Sequence, residues 1–345
     1  MIAKKTIPHD WDSLDFSYRD TEAMYVQVYD QEWQDPDIVV PEDFSLHPAA
    51  SALNYGQGIF EGLKAKRTTT GHVTLFRPEQ NAERFQNGAR RMCMPSVHTE
   101  QFTQAVKQVV QKNIKHVPPT EKGSLYVRAL LIGSGAKLGI GPSQSYTFIV
   151  FVCPVGPYFK DGVTPISLKV PENIHRTAPG GTGGIKAIGN YGPGMLHVLE
   201  AKKEGFDELL YLEARQNKYV EECGAANFFA MIDGVLYTAP LNDTILPGIT
   251  RDSIIHIAKA LGIIVAAAPL KITDVLRAQE CFCTGTAAGV APVGRISYKN
   301  KDVMYNDGTV GEITQRLRNA LEDIQCGVDH PILRQFSQWR MNIPL

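Results

Sequence analysis

The segment 154–179 most constrains the fold, because five prolines and two glycines interrupt a chain that otherwise alternates between strand-like and helix-like patterns. Proline fixes φ and removes a backbone donor, so such a stretch is typical of a connection. A chain of 345 residues also exceeds the usual size of one hydrophobic core. We therefore expect two domains, residues 1–160 and residues 176–345, with residues 161–175 as the linker between them.

Apolar periodicity on the N-terminal side of this segment predicts strands around two helices. Alternation with a period of two, or an apolar and β-branched composition, predicts strands at 24–29, 124–133 and 145–153 and a hairpin over 65–77. Pro78 stands where proline is favoured, in the first turn of a helix. A second predicted helix, over about 100–115, ends before Pro118 and Pro119.

The C-terminal side also mixes the two kinds of element. Predicted helices cover about 191–203, 249–261 and 309–324. Short predicted strands fall within 208–237 and at 280–284 and 293–298. The chain is therefore expected to combine strands and helices on both sides of the linker.

The composition narrows the class of protein. Hydrophobic residues make up 43% of the chain and charged residues 21%, and the formal net charge is -1, so nucleic acid and anionic membranes are not the expected partners. The six cysteines are scattered without a CxxC pair, which favours reduced thiols. The first twenty residues include the acids Asp10, Asp12 and Asp15 and have no apolar core, and no run of eighteen apolar residues occurs. We expect a cytoplasmic protein with no membrane span.

Lys186 follows a run of small, flexible residues over 180–184. Glycines allow positive φ and close approach to a ligand, so this lysine is placed to present its amine to one point of a cleft. A Walker A loop needs Gly before its lysine and Ser or Thr after it, whereas Ile185 and Ala187 stand here. Two interpretations stay open: a Schiff-base lysine, which reacts when its amine is neutral, and a surface lysine in a flexible loop.

Two further segments are suited to anions. Residues 246–252 open a predicted helix, whose free amides and positive dipole end form an anion site, although Thr250 and Asp252 commonly serve only to satisfy such a helix start. Residues 284–289 offer hydroxyls and backbone amides in a tight turn after an apolar strand, a common arrangement.

Glu221 and Glu222 end a predicted strand ahead of a small, apolar run. A buried carboxylate there needs a cationic partner, and a protonated pyridine nitrogen is one such cation. Solvated acids at the end of a strand are the plainer alternative. The nine histidines show no metal-ligand spacing, so no metal site is expected.

Taken together, these segments resemble the branched-chain amino acid aminotransferases of the class IV (fold type IV) pyridoxal-phosphate family, over about residues 24–325. The matching motifs occur in order: YGQGIFEGLK at 55–64, FRP at 76–78 with Arg84, YVR at 126–128, CPVG at 153–156, GNYGP at 189–193, ILPG at 245–248 and GTA at 285–287. The resemblance implies an α/β fold with a small N-terminal domain and a larger C-terminal pseudo-barrel domain.

The resemblance also implies roles for the residues that match the cofactor site. Lys186 is expected to hold pyridoxal 5'-phosphate covalently, Glu222 to pair with its pyridine nitrogen, and Tyr191 to bond its ring oxygen. Keeping that nitrogen protonated makes the ring an electron sink. The remaining matches, mainly around the phosphate, are Arg84, Leu246, Ile249, Thr250 and Thr286.

A second set of matches implies the substrate site. Tyr55, Phe60 and Tyr158 correspond to an apolar wall around a branched side chain. Tyr126 and the Ala287 amide correspond to the groups that bind the α-carboxylate. Arg128 corresponds to the arginine that receives the distal carboxylate of 2-oxoglutarate or glutamate.

The activity implied by the resemblance is a ping-pong transfer of the amino group of leucine, isoleucine or valine to 2-oxoglutarate, in a homodimer. Two alternatives stay open. The nearer is another class IV enzyme, acting on D-amino acids or aminodeoxychorismate, although Arg128 in YVR argues against it. The more distant alternative is a protein module that binds a phosphate ligand and catalyses no reaction.

The chain departs from the family pattern at two places. Some members carry a CxxC redox switch after the turn at Thr286, where this chain has Ala288 and Ala291, so that regulation is expected to be absent. Some members also have threonine at the position of Ala225. A small apolar residue there is expected to alter the choice of keto acid, in a direction that the sequence does not give.

Overall fold

A computed structural model describes residues 10–159 and 162–344 of the chain. The first nine residues and the predicted domain boundary at 160–161 lie outside the described residues. The helices are α1 (Ser51–Tyr55), α2 (Pro78–Arg91), α3 (Thr99–Lys112), α4 (Met195–Lys203), α5 (Ile249–Ala260), α6 (Ile272–Val275) and α7 (Glu312–Cys326). Short 3₁₀ turns lie at Trp11–Ser13, Ile114–His116, Ile188–Asn190, Gly192–Gly194, Asn306–Gly308 and Leu333–Trp339.

The strands form two large sheets. They are β1 (Met24–Asp30), β2 (Glu32–Trp33), β3 (Asp37–Val39), β4 (Gly58–Arg67), β5 (Val73–Phe76), β6 (Ser124–Gly133), β7 (Ser145–Val155), β8 (Ile166–Lys169), β9 (Glu208–Leu212), β10 (Tyr219–Cys223), β11 (Asn227–Ile232), β12 (Val235–Thr238), β13 (Ile264–Ala267), β14 (Leu270–Lys271), β15 (Glu280–Gly285), β16 (Gly289–Tyr298), β17 (Lys301–Met304) and β18 (Arg340–Ile343).

The first sheet has the order β18-β5-β4-β6-β7-β1-β2, with β3 paired to β1, and its pairs are antiparallel. Helices α2 and α3 pack on one face through Phe85 and Phe102, which contact Phe148 of β7 with ring centroids 5.7 and 6.2 Å apart. Burying such aromatic side chains contributes about 1.5–3 kcal/mol each. This core fixes β4 and β6, the two strands that carry the predicted substrate residues Phe60, Tyr126 and Arg128.

The second sheet has the order β13-β12-β11-β15-β16-β8-β9-β10-β14, and it curves so that β10 also pairs with β11. β17 extends it beside β16. Helices α5 and α7 cover one face, where Ile254 and Leu317 pack with Phe229 and Phe282. The strand ends at Glu222 and Gly285 therefore lie near the start of α5.

The two sheets meet at the lysine predicted to be reactive. The Phe60 amide on β4 donates to the Lys186 carbonyl at 3.0 Å, and Ile59 forms an isolated β-bridge with Ala187. Asn190 holds the loop from inside, because its side-chain amide donates to the carbonyls of Thr182 and Ile185. Lys186 is therefore fixed at the junction between the first sheet and the second.

The structure differs from the sequence prediction at several elements, among them the following three. Residues 166–169, inside the predicted linker, form β8 and pair in parallel with β16 and β9, because Ile166 and Leu168 face the second core. The helix predicted from 191 begins at Met195, after the 3₁₀ turn that contains Pro193. The C-terminal β18, which was not predicted, joins the first sheet beside β5. The α/β class is confirmed, and the domain limits stay a prediction.

Candidate active site

Lys186 lies in a cleft between the sheets, and its backbone is fixed by the contacts just described. Its Nζ donates to the Tyr191 hydroxyl at 3.2 Å and lies 4.6 Å from the centroid of the Phe60 ring. Burial lowers the pKa of the amine to about 8, and the positive charges of Arg84 and Arg128 act in the same direction. A substantial fraction of the amine is therefore neutral near pH 8, as a nucleophilic lysine requires. The exposed-loop interpretation of this lysine is wrong.

Tyr191 forms the wall beside this amine. Its ring centroid lies 5.1 Å from that of Phe60. Burial raises the pKa of its phenol to about 12. The phenol is therefore protonated at neutral pH, and it remains a hydrogen-bond donor to an acceptor in the cleft.

Glu222 is buried at the end of β10, so the solvated-acid interpretation is wrong for this residue. Its oxygens accept from the Leu246 amide at 3.1 Å and from the Asn227 side chain at 2.8 Å, and the carboxylate forms an ion pair with Arg176. Burial raises its pKa to about 7, while Arg176 opposes that shift. Asn227 uses one lone pair of Oε2, which leaves a second for another donor.

Arg84 is buried on α2 and is held by Glu61 of β4. Its Nε and Nη2 donate to the two Glu61 oxygens at 2.6 and 2.8 Å, and its Nη1 donates to the Pro247 carbonyl at 3.0 Å. This bidentate pairing uses two of five N–H donors and fixes the plane of the guanidinium. Two donors remain for an anion beside the start of α5.

The start of α5 supplies the neighbouring donors. The amides of Ile249 and Thr250 have no acceptor within the helix, because the first turn lacks preceding carbonyls. Gly248 is required before them, since a Cβ at this position would lie 2.0 Å from Asn227 Oδ1. One cavity is lined by these residues and the reactive groups: Arg84, Arg176, Lys186, Tyr191, Glu222, Leu246, Ile249, Thr250, Thr284 and Thr286.

The cavity fits the predicted cofactor. A guanidinium and a helix start in its lining offer donors to an anion, an amine is directed into it, and a carboxylate with an open lone pair also lines it. Among the described residues, no group pairs with the buried Thr284 hydroxyl, which lines the same cavity. A phosphorylated pyridine aldehyde would satisfy each of these groups.

The predicted substrate residues divide into those beside Lys186 and those farther away. The Arg128 guanidinium lies 4.7 Å from the Phe60 ring centroid and donates to the Tyr126 hydroxyl at 3.3 Å. Tyr158 is half exposed and lines a second cavity, which adjoins the first and includes Thr286 and Ala287.

Tyr55 lies apart from these residues. It is at the end of α1, and its hydroxyl donates to the Leu138 carbonyl. Its predicted place in the substrate wall stays a prediction.

Comparisons with known proteins identify the family. The model of the class IV amino-transferases matches residues 58–296. The chain belongs to the class IV aminotransferase family. Branched-chain amino acid aminotransferase 2 of Humulus lupulus, named chloroplastic, is 47% identical over 320 residues, 92% of this chain and 78% of the relative. Branched-chain-amino-acid aminotransferase 1 of Arabidopsis thaliana, named mitochondrial, is 48% identical over 320 residues, 92% of this chain and 83% of the relative.

The fold is also that of solved members of the family. The structure of the branched-chain amino acid aminotransferase from Escherichia coli matches with a TM-score of 0.75 at 29% identity, covering 90% of this chain and 97% of that chain. The predictions that this chain is an enzyme and a class IV aminotransferase are therefore confirmed.

This class IV aminotransferase also uses residues that the sequence analysis did not single out. Glu61, which holds Arg84, is a fully buried acid within an apolar strand, and that pattern was the available signal. Lys64 donates to the Ala287 carbonyl at 2.6 Å, and burial, with the nearby charge of Lys66, lowers its pKa to about 7. Period-two spacing places Lys64 on the strand face of Phe60, which could have indicated it.

The sequence analysis also did not single out two other residues of the cleft, Phe16 and Gly62. Phe16, from the N-terminal segment, packs edge-on against Tyr126 with ring centroids 5.2 Å apart. Gly62 makes room for Tyr126, because a Cβ there would lie 2.1 Å from its hydroxyl oxygen.

Among residues 10–159 and 162–344, no helix has the length and apolarity to cross a membrane, and no group of three or more possible ligands could hold a metal.

We predict that Glu61→Gln weakens binding of pyridoxal phosphate by about tenfold to a hundredfold, a loss of about 1.4–3 kcal/mol. The neutral amide loses the charge-assisted pairing that fixes Arg84. Equilibrium dialysis of the apoprotein measures the affinity. Glu83→Gln is the control, because Glu83 is an exposed acid on α2, the helix that carries Arg84. Equal affinities for both variants would show that Glu61 does not support the phosphate end.

Proposed function

We propose that this chain is a pyridoxal-phosphate-dependent branched-chain aminotransferase, which transfers the amino group of leucine, isoleucine or valine to 2-oxoglutarate. The observation that carries the proposal is the convergence of Lys186, Glu222 and Arg84 on one cavity. Sequence identities of 47% and 48% to proteins named branched-chain aminotransferases support the choice of substrate.

The chemistry divides between cofactor and protein. Pyridoxal phosphate, when bound, supplies an electron sink that stabilises negative charge at the substrate Cα. Lys186 would hold it covalently until substrate enters, and the released Nζ would carry the proton between Cα and the cofactor C4′. A pKa of about 8 suits this work, because an amine that is near its pKa both accepts and returns a proton.

The remaining residues would orient the cofactor. Glu222 would offer an oxygen lone pair to the pyridine nitrogen, and the phenolic O–H of Tyr191 would donate a hydrogen bond to the ring oxygen of the cofactor. Arg84, the amides of Ile249 and Thr250, and the Thr286 hydroxyl would hold the phosphate. With both ends held, Cα is presented to Lys186 in a fixed direction.

One pocket must accept both an apolar tail and a carboxylate. Phe60 supplies an apolar face, and Arg128 lies across that ring while donating only to Tyr126 among the described hydrogen bonds. Guanidinium stacking on an aromatic ring leaves its edge N–H groups available. Leucine would therefore use the ring, and the distal carboxylate of 2-oxoglutarate would use the guanidinium edge.

We also propose that the enzyme is a homodimer. Leu138 and Ile140 on one loop are 85% and 93% exposed, and Met195, Leu196 and Leu199 on α4 are each about three-fifths exposed. Large apolar side chains exposed to this extent are typical of a surface that another chain covers. A second copy is the partner expected most often.

Cytoplasmic location stays a proposal, which the free cysteines of the chain support. The two plant relatives carry the words chloroplastic and mitochondrial in their names, so the compartment differs among related proteins. Fractionation of the source cells followed by immunodetection distinguishes these locations; recovery in an organelle fraction would reject the proposal.

We predict that Lys186→Ala abolishes both transamination and the absorbance near the visible edge that marks covalently held cofactor, because Lys186 supplies the amine that faces the cleft beside Tyr191. An absorption spectrum and an assay with leucine and 2-oxoglutarate measure the two effects. Lys203→Ala, at the exposed end of α4, is the control and should leave both unchanged. Retention of both properties by Lys186→Ala would reject the assignment.

We predict that Arg128→Ala lowers kcat/KM for 2-oxoglutarate by about a hundredfold, a loss of about 3 kcal/mol, because a buried carboxylate loses its charged partner. The effect on leucine should be less than about tenfold, since its side chain needs only the apolar face. Initial rates with each substrate varied in turn separate the two. Equal losses would show that Arg128 is not the receptor of the distal carboxylate.

We predict that the double substitution Leu196→Asp and Leu199→Asp converts the dimer to monomers, because charge on an apolar interface is desolvated without a partner. Sedimentation velocity measures the mass. Ile264→Asp, an equally exposed apolar position on β13, is the control and should remain dimeric. A double variant that sediments as wild type would place the interface elsewhere.

A further inference from the structure

We propose that Arg176 is a positioning residue that holds three separate parts of the cofactor site in one arrangement: the carboxylate of Glu222, the glycine-rich loop before Lys186 and the loop before α5. The proposal rests on the proposed function, because it takes Lys186 and Glu222 to hold pyridoxal phosphate. None of the family motifs in the sequence includes this arginine.

The side chain of Arg176 contacts three segments of the site. Its side chain is 7% exposed, and its Nη2 forms an ion pair with Glu222. The same nitrogen lies 2.8 Å from the Gly183 carbonyl and 3.0 Å from the Thr244 carbonyl. These acceptors belong to β10, to the loop that leads to Lys186, and to the loop that leads to α5. One guanidinium thus contacts all three segments.

Arg176 also supplies the counter-charge for the buried carboxylate of Glu222. A buried carboxylate without a counter-charge costs several kcal/mol or takes up a proton. Glu222 otherwise receives only neutral donors, from Asn227 and the Leu246 amide. Arg176 is the adjacent cation and favours the ionised form. Burial raises the Glu222 pKa to about 7, and Arg176 limits that rise, so that an ionised fraction is ready to accept from a pyridine nitrogen before the cofactor arrives.

Arg176 also connects the loop before Lys186 to the loop before α5. Gly183 lies three residues before Lys186, and Thr244 lies two residues before Leu246. The two loops have one further backbone link, from the amide of residue 184 to the carbonyl of residue 243 at 2.7 Å. A displacement of Arg176 would therefore move the amine and the phosphate-binding helix relative to the carboxylate on β10. Holding a cofactor at several points requires all of them at their correct separations.

Lysine cannot replace arginine in this role. A guanidinium is planar and offers donors in fixed directions, whereas an ammonium is a point charge on a flexible stem. Arg176→Lys would keep the ion pair with Glu222 and lose the fixed geometry toward two carbonyls. Arg176→Met would lose both. The two variants separate the positioning of the loops from the charge alone.

The experiment uses the full-length apoprotein and pyridoxal phosphate itself. Equilibrium dialysis gives the affinity, and borohydride reduction followed by peptide mass spectrometry gives the fraction of bound cofactor fixed to Lys186. Thermal melting of the apoprotein reports the fold. Arg295→Met is the matched control, because Arg295 also pairs with an acid, Asp302, and donates to a backbone carbonyl, that of Gly205, outside the site.

We expect Arg176→Met to weaken binding at least about tenfold and to lower the fraction fixed to Lys186, with Arg176→Lys well short of wild type in both and Arg295→Met equal to it. Wild-type binding and labelling in Arg176→Lys would overturn the proposal, since charge alone would then suffice; so would a lower melting temperature in Arg176→Met as the sole change. If Arg176→Met does not fold, Arg176→Lys decides. Failure of the wild-type protein to bind the cofactor would instead reject the proposed function.

Discussion

The site depends on the pairing of buried charges. Two carboxylates, Glu61 and Glu222, lie in the cleft with almost no exposure, and each contacts an arginine that comes from a distant part of the chain. An ionised carboxylate is stable at such depth only with a partner and additional hydrogen bonds. Arg84 and Arg176 meet that condition. Arg84 joins α2 to β4 through Glu61, and Arg176 joins the glycine-rich loop to β10 through Gly183 and Glu222.

The same charges set the state of the reactive amine. Lys186 has Arg84 and Arg128 near it as well as Glu61 and Glu222, so the Coulomb contributions to its pKa oppose one another. Burial is then the largest cause, and it favours the neutral amine. The cleft thus contains strong charges for binding anions, yet it keeps its nucleophile uncharged for a useful fraction of the time. Pairing each carboxylate with its own arginine makes this combination possible.

The sequence predicted those features that depend on local pattern. The strand over 124–133 and the helix that begins at Pro78 agree with the structure, because apolar alternation and a first-turn proline are local signals. Strand β8 was missed, since prolines flank it and its stability comes from parallel partners far along the chain. Arg176 was missed for a related reason: an arginine in an irregular loop has no local pattern, and its partners are known only once the chain has folded.

Glycines show how backbone spacing and chemistry are joined at this site. Gly62 lies under the Tyr126 hydroxyl and Gly248 lies against the Asn227 side chain, and a Cβ at these positions would lie only 2.1 and 2.0 Å from the respective oxygens. Larger residues would push Tyr126 away from Arg128, or push Asn227 away from the carboxylate that it contacts on β10. The absence of a side chain at two positions therefore leaves the room that Tyr126 and Asn227 need for these contacts. At Gly62 and Gly248, the two glycines are therefore places where neighbouring side chains leave no room for a Cβ.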